Sequence, residues 1–129
     1  IEAAQILGQK ELESTQETAA AFRSMFSQAA VVLTLGSQGS VYIDKDQMIP
    51  QKCYKVKAVD TNGAGDIFHG AFAYAIKQQL DFYDVLKISS MASAISVQTL
   101  GAQSSIPQLT KVTSELQKKG NHYDKRRYL

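Results

Sequence analysis

The chain has one cysteine, no tryptophan, two prolines and two histidines in 129 residues. Each scarcity excludes something. With Cys53 alone there is no intrachain disulfide, and the composition fits a reducing compartment. His69 and His122 lie far apart, and with one cysteine they make no metal-site spacing. Cys53 sits in an extended segment without a neighbouring base that would mark it as a nucleophile. No stretch approaches 18 consecutive apolar residues, so no membrane-spanning helix is expected. Ile1-Glu2-Ala3-Ala4 lacks the basic and then apolar regions of a secretory signal. Cytoplasmic residence is the expectation from these features. A formal charge of +2 is too small to argue for nucleic acid, and the six tyrosines are scattered rather than arranged as a stacking platform. There is also no initiator Met, which suggests a chain that begins inside something longer.

What is present is an alternating plan. The length suits one compact domain, expected over residues 1–119, followed by a basic tail at 120–129 that contains Lys125-Arg126-Arg127. Residues 1–8 read as a helix end closed by Gly8. Ser14 and Glu17 have capping-box spacing, and Ala19, Ala20, Phe22, Met25 and Phe26 give a helix an apolar face to about Gln28. Residues 30–35 (AVVLTL) read as a strand buried on both faces. Gly36-Ser37-Gln38-Gly39 breaks it, Ser40 to Asp44 forms a second strand, and Met48 to Val59 is mainly extended. After the loop at 60–66, Ile67, Phe68, Ala71, Phe72, Ala75 and Ile76 recur at helical spacing as far as Leu80. His69, one turn into that helix, reads as a packing or surface residue. Asp81 suits the cap of a further helix with a small-residue middle, Ser89 to Ala94. Pro107 suits the first turn of the last helix, which ends near Gly120.

The loop Asp60-Thr61-Asn62-Gly63-Ala64-Gly65-Asp66 carries the chemistry. Strand, glycine-rich turn and helix start together place free backbone N–H groups at the positive end of a helix dipole, an arrangement that binds phosphate. It is neither of two familiar phosphate motifs. No Gly follows Gly63 and Gly65 at the GxGxxG spacing, and no Gly-Lys-Ser/Thr ending exists. Asp66 is the unusual member, because a carboxylate there would repel phosphate. It either caps the helix or serves as general base towards an attacking hydroxyl. Spacing alone favours the cap.

The run DTNGAGDIFHGAFA closely resembles the C-terminal signature of the PfkB/ribokinase family, D-T-x-G/A-A-G-D-x-F-x-G-A, shared by ribokinase, fructokinase and adenosine kinase. Thr34-Leu35-Gly36-Ser37-Gln38-Gly39 looks like the family's T-L-G-x-x-G turn. Gly101-Ala102-Gln103-Ser104-Ser105-Ile106-Pro107 resembles its G-A-x-x-S-x-P stretch, and Glu2-Ala3 to Leu7-Gly8 its N-x-x-E-A-x-x-L-x-G segment without the Asn. The resemblance covers about residues 1 to 110. It implies an α/β, ribokinase-like doubly wound sheet, C-terminal part only, with the nucleotide at strand C-termini.

The same resemblance implies roles. Asp66 would be the base, and Gly63, Ala64 and Gly65 the anion hole. Thr34, Gly36, Ser37, Gly39, Gly65 and Ser90 would line the nucleotide. Asp60, Asn62, Ser96, Thr99, Gly101 and Ser105 would surround a monovalent cation, with an all-oxygen shell suited to potassium. Glu2 would act on magnesium indirectly. The plainer alternatives are turn-forming for Asp60 and Ser105 and close helix packing for Ser90. The implied reaction is ATP-dependent phosphoryl transfer to a hydroxymethyl group of a ribose- or fructose-like sugar, or less in keeping with the G-A-x-x-S-x-P ending, of a nucleoside such as adenosine.

Complete family members are roughly twice this length, and the sugar-binding motif, lid strands and first sheet strands have no counterpart here. The chain is therefore expected to be inactive alone and to self-associate. The competing expectation is a separate nucleotide-binding or assembly module without catalysis. No nucleic-acid or membrane partner is implied.

Overall fold

The computed structural model describes residues 15–44, 46–101 and 103–120, apart from the side chains of residues 15, 16 and 19. Over these the order is α1 (Thr15–Met25), β1 (Val31–Thr34), a short 3-10 turn (Gly36–Gln38), β2 (Ser40–Ile43), β3 (Met48–Gln51), α2 (Ala64–Lys77), α3 (Phe82–Ser96) and α4 (Leu109–Lys118). The expected helix at 1–8, the capping role of Ser14, Glu2, His122 and the basic tail lie outside the described residues.

The three strands form one antiparallel sheet in the order β1-β2-β3. Register follows from side-chain alternation. Leu33 pairs with Val41 and Val31 with Ile43 on one face, while Val32, Tyr42 and Ile49 align on the other. α1 covers the first face by setting Phe22 against Leu33, Val41 and Ile43. α2 and α3 cover the second, bringing Phe68 and Leu86 against Tyr42 and Ile49. Helices on both faces of a sheet make the fold α/β. β2, in the middle, is buried at all four positions. Against α3, the apolar stripe of α4 (Val112, Leu116) joins Ala75, Val85, Ile88 and Met91 in the largest cluster. α3 is the central helix of this layer, and Val85 and Leu86 in it are wholly inaccessible.

Several expectations need correction. The strand expected to be buried on both faces is the edge strand β1, where only Leu33 is buried and Thr34 is exposed. A strand is covered only where it has neighbours on both sides, and among the described residues β2 alone does. The extended run from Met48 is a regular strand only to Gln51; Pro50 lacks an N–H and fits an edge position. Residues 52–58 continue without ladder partners. α1 stops at Met25 rather than near Gln28, and α2 stops at Lys77, short of Leu80. Pro107 precedes α4 instead of opening it, because Gln108 occupies the N-cap. Asp81 does cap α3, its Oδ1 accepting from the Asp84 N–H at 3.0 Å.

Candidate functional site

The site begins at the turn between β1 and β2. Gly36 and Gly39 both have positive φ, and the Leu35 N–H donates to the Gly39 carbonyl at 2.8 Å, closing the loop. Gly39 is the tightest point. At φ +105 a side chain would be strained, and a Cβ there would fall 2.1 Å from the Gln51 carbonyl oxygen. Glycine at this position thus lets the turn lie directly on the chain leaving β3. That contact sends residues 53–58 past the turn and down to the loop before α2. Cys53 marks the crossing, with its Sγ 3.8 Å from the Gly36 carbonyl oxygen.

The loop at 60–66 is built around Asp60. Its Oδ1 accepts from the Asn62 N–H at 2.9 Å, and its Oδ2 from the Gly101 N–H at 3.1 Å. These two bonds, Asn62's being the larger effect, hold the Asp60 carboxyl below the usual carboxylate range. The Val97 carbonyl receives the N–H groups of Val59 and Asp60 at 2.6 and 3.1 Å. One aspartate and one carbonyl therefore clamp the phosphate-type loop to the end of α3. The chain then passes through Gly63, left-handed at φ 76, and α2 starts at Ala64. The helix begins earlier than its sequence pattern indicates, so Asp66 lies inside the first turn and Gly63 holds the N-cap. Asp66 stands in the first turn, as the helix-stabilising reading places it, and its charge suits the positive end of the dipole, while the N-cap position itself belongs to Gly63.

The helix start leaves donors unspent, as helix N-termini do. Ala64 gives its N–H to the Thr61 carbonyl at 3.2 Å. Among the described residues no acceptor receives the N–H of Gly63, Gly65 or Asp66. A Cβ built on Gly65 would meet no protein atom within 4 Å, so the backbone there is open to close approach.

These pieces enclose a cavity of about 490 Å³, inside the usual range for small-molecule sites of about 300–1,000 Å³. All six residues expected to line a nucleotide, Thr34, Gly36, Ser37, Gly39, Gly65 and Ser90, lie in its wall. Ala64 lines it too, whereas Gly63 and Asp66 do not; Asp66 is exposed just beyond. Sequence reasoning missed the wall formed by Cys53 to Val56 and Ala58, together with Phe68 and Ser93. Nothing in the 53–58 spacing signals a site. The tyrosine in it, Tyr54, packs against the largest core cluster, and burial pushes its phenol up.

The expected cation residues are gathered in part. Asp60, Asn62 and Gly101 are joined by the bonds above, and the Ser105 N–H donates to the Gly101 carbonyl at 3.1 Å. Ser96 and Thr99 are linked to each other through the Thr99 N–H and the Ser96 carbonyl at 3.2 Å. The turn-forming alternative for Asp60 is satisfied outright, since both carboxylate oxygens hold backbone. Each keeps a free lone pair, so an all-oxygen shell for a hard ion still fits chemically. No group of three or more His, Cys, Asp or Glu able to hold a metal occurs among the described residues.

The family model for pfkB family carbohydrate kinases matches residues 1–109. The chain belongs to that family. Within the pfkB family it is 40% identical over 126 residues to the ribokinase of Schizosaccharomyces pombe, covering 93% of this chain and 39% of that one. It is 38% identical over 86 residues to the ribokinase of Lactococcus lactis, covering 67% and 29% respectively. Among solved structures, the ribokinase of Thermotoga maritima superposes with a TM-score of 0.78 at 34% identity, over 89% of this chain and 38% of that one. The Arabidopsis thaliana ribokinase complexed with ribose and ATP gives 0.82 at 28% identity, over 89% and 38%. The fold is thus the ribokinase-like α/β fold of the pfkB kinases. The chain spans well under half the length of the relatives it matches. No helix among the described residues is long and apolar enough to cross a membrane.

Proposed function

We propose that this chain is the nucleotide-binding, C-terminal part of a sugar kinase that transfers the γ-phosphoryl group of ATP to a hydroxymethyl group of a ribose- or fructose-like sugar. One observation carries the reading. The unspent Gly65 N–H opens a helix in the cavity wall, and Asp66 carries a carboxylate one residue further on.

In this mechanism Asp66 accepts the proton of the acceptor hydroxyl. The acceptor oxygen forms its bond to the γ-phosphorus as the bond from that phosphorus to the bridging oxygen breaks, and ADP leaves with the electron pair. Charge that develops on the transferred oxygens meets the N–H groups of Gly63, Gly65 and Asp66 at the positive end of α2. Ala64, with its N–H spent on Thr61, shapes this anion hole rather than donating to it. Thr34, Gly36, Ser37, Gly39 and Ser90 provide the wall for the rest of the nucleotide. Asp60, Asn62, Ser96, Thr99, Gly101 and Ser105 would hold potassium, which supplies a fixed positive charge beside the loop. Magnesium, handled with Glu2, would screen the nucleotide phosphates.

The test is Asp66→Asn in the full chain that carries this segment. Nucleotide affinity is expected to stay within about twofold, and turnover to fall by ~10²–10⁴. Near-normal turnover would remove Asp66 as the base.

A further inference from the structure

We infer that Ser93 is a positioning residue for the phosphate end of the cavity, acting through the peptide unit that joins Ala64 to Gly65. The inference rests on the phosphoryl-transfer reading above. Ser93 stands on α3 and donates its hydroxyl to the Ala64 carbonyl at 3.1 Å, across 29 residues of sequence. Both residues line the cavity. A trans peptide is planar, so the Ala64 carbonyl and the Gly65 N–H belong to one rigid unit and point in opposite directions. Holding the oxygen therefore holds the direction of the N–H. That N–H finds no acceptor among the described residues, and none of them besides Ser93 ties this peptide unit from outside its own helix. Donation into the carbonyl also polarises the amide, which makes the Gly65 N–H a stronger donor.

The neighbouring serines show that this is not the default use of a helical hydroxyl. Ser89 gives its hydroxyl to the Val85 carbonyl at 2.7 Å, and Ser96 gives its own to the Ser93 carbonyl at 2.8 Å. Both stay on their own helix, as serine inside a helix usually does. Ser93 crosses to α2 instead, at a peptide unit whose N–H has no acceptor among the described residues and belongs to a cavity-lining glycine.

The experiment follows the Gly65 amide resonance in the full chain that carries this segment, during titration with ADP and, separately, with pyrophosphate. Ser93→Ala is expected to move that resonance, reduce its response to both ligands, and lower kcat about five- to tenfold with the KM for ATP within about twofold. Ser93→Thr keeps a hydroxyl and restores both readouts, and Ser93→Cys, a weak donor of similar size, falls between them. An unchanged Gly65 amide in Ser93→Ala, or Ser93→Thr failing as badly as Ser93→Ala, would overturn the inference and leave Ser93 as packing. If Ser93→Ala does not fold, the order of Thr above Cys in the amide response decides the matter alone. The function reading fails separately, through unaltered turnover in Asp66→Asn, and the Gly65 amide still decides the part played by Ser93.

Discussion

Two stretches of chain line the same cavity and have little in common as sequence. Thr61 to Gly65 is a pattern in which nearly every residue type is dictated: a left-handed glycine at 63, an open glycine at 65, a carboxylate just after. Cys53 to Ala58 reads like any strand, apolar residues alternating with lysine, and it is not even a strand. The difference is one of what each must supply. The first must aim backbone groups, which restricts φ, ψ and side-chain size together. The second only has to present surface, which many residues can do. Its placement is decided elsewhere, by Gly39 letting the turn lie against Gln51 and Cys53.

The largest test of this contrast uses the 129-residue chain alone. It holds both walls, and on the proposed function the acceptor is oriented by chain outside these residues; orientation can supply ~7–11 kcal/mol of barrier lowering. The expected outcome is no measurable turnover with ribose or fructose in a coupled ADP-release assay, weak ADP affinity, and self-association seen by light scattering as the edge of β1 finds a partner. Sugar-dependent turnover from a clean monomer would end that account. Next in size is Gly39→Ala, which attacks the joint between the two walls. The backbone angle alone costs about 1–3 kcal/mol, and the Gln51 carbonyl must also move. A clear fall in melting temperature is expected, together with weaker ADP binding; loss of neither would show that the two walls are placed independently.

A smaller effect is expected at Asp60. If its group holds potassium, exchanging sodium for potassium buffer should raise turnover of the full chain several-fold, and Asp60→Ala should abolish the response. The pH dependence has a definite sign. Because the folded carboxyl is held below its ordinary value of about 3.9, the clamp is complete above that value and is lost only as pH falls through the lower, folded value. The Gly101 amide shift should titrate in that acidic window, and a midpoint above the ordinary value would contradict the geometry. The smallest effect belongs to the surface-supplying wall. Cys53→Ser should alter ADP affinity by less than about twofold, while ADP should slow alkylation of Cys53 in the natural chain. A large affinity loss would mean that this wall does more than present surface.

Most of the fold could be read from the sequence because helix periodicity, the Asp81 cap and the apolar runs are local signals. The identity of the edge strand could not, since 30–35 and 40–44 are both apolar and only pairing shows that β2 lies between two neighbours. The start of α2 was also hidden. Gly63-Ala64-Gly65 looks like loop by composition, yet the left-handed angle at Gly63 turns the chain so that Ala64 already lies in the helix. Of the site, the cavity-lining residues Thr34, Gly36, Ser37, Gly39, Gly65 and Ser90 could be named through the family resemblance. The Ser93 hydroxyl was not, because a serine within a small-residue stretch gives no sign of which carbonyl it will reach.

The ties that shape the loop at 60–66 have a consequence for biosynthesis. Asp60 reaches Gly101 across 41 residues, Ser93 reaches Ala64 across 29, and Val97 holds Val59 and Asp60. Every one of them joins the loop to chain made later on the ribosome. The glycine turn therefore cannot mature as it emerges; its donors stay unaligned until α3 and the Gly101 loop have been translated and have docked. A nascent chain stalled after the motif at 60–73 but before that point would carry the whole signature and still be unable to present it.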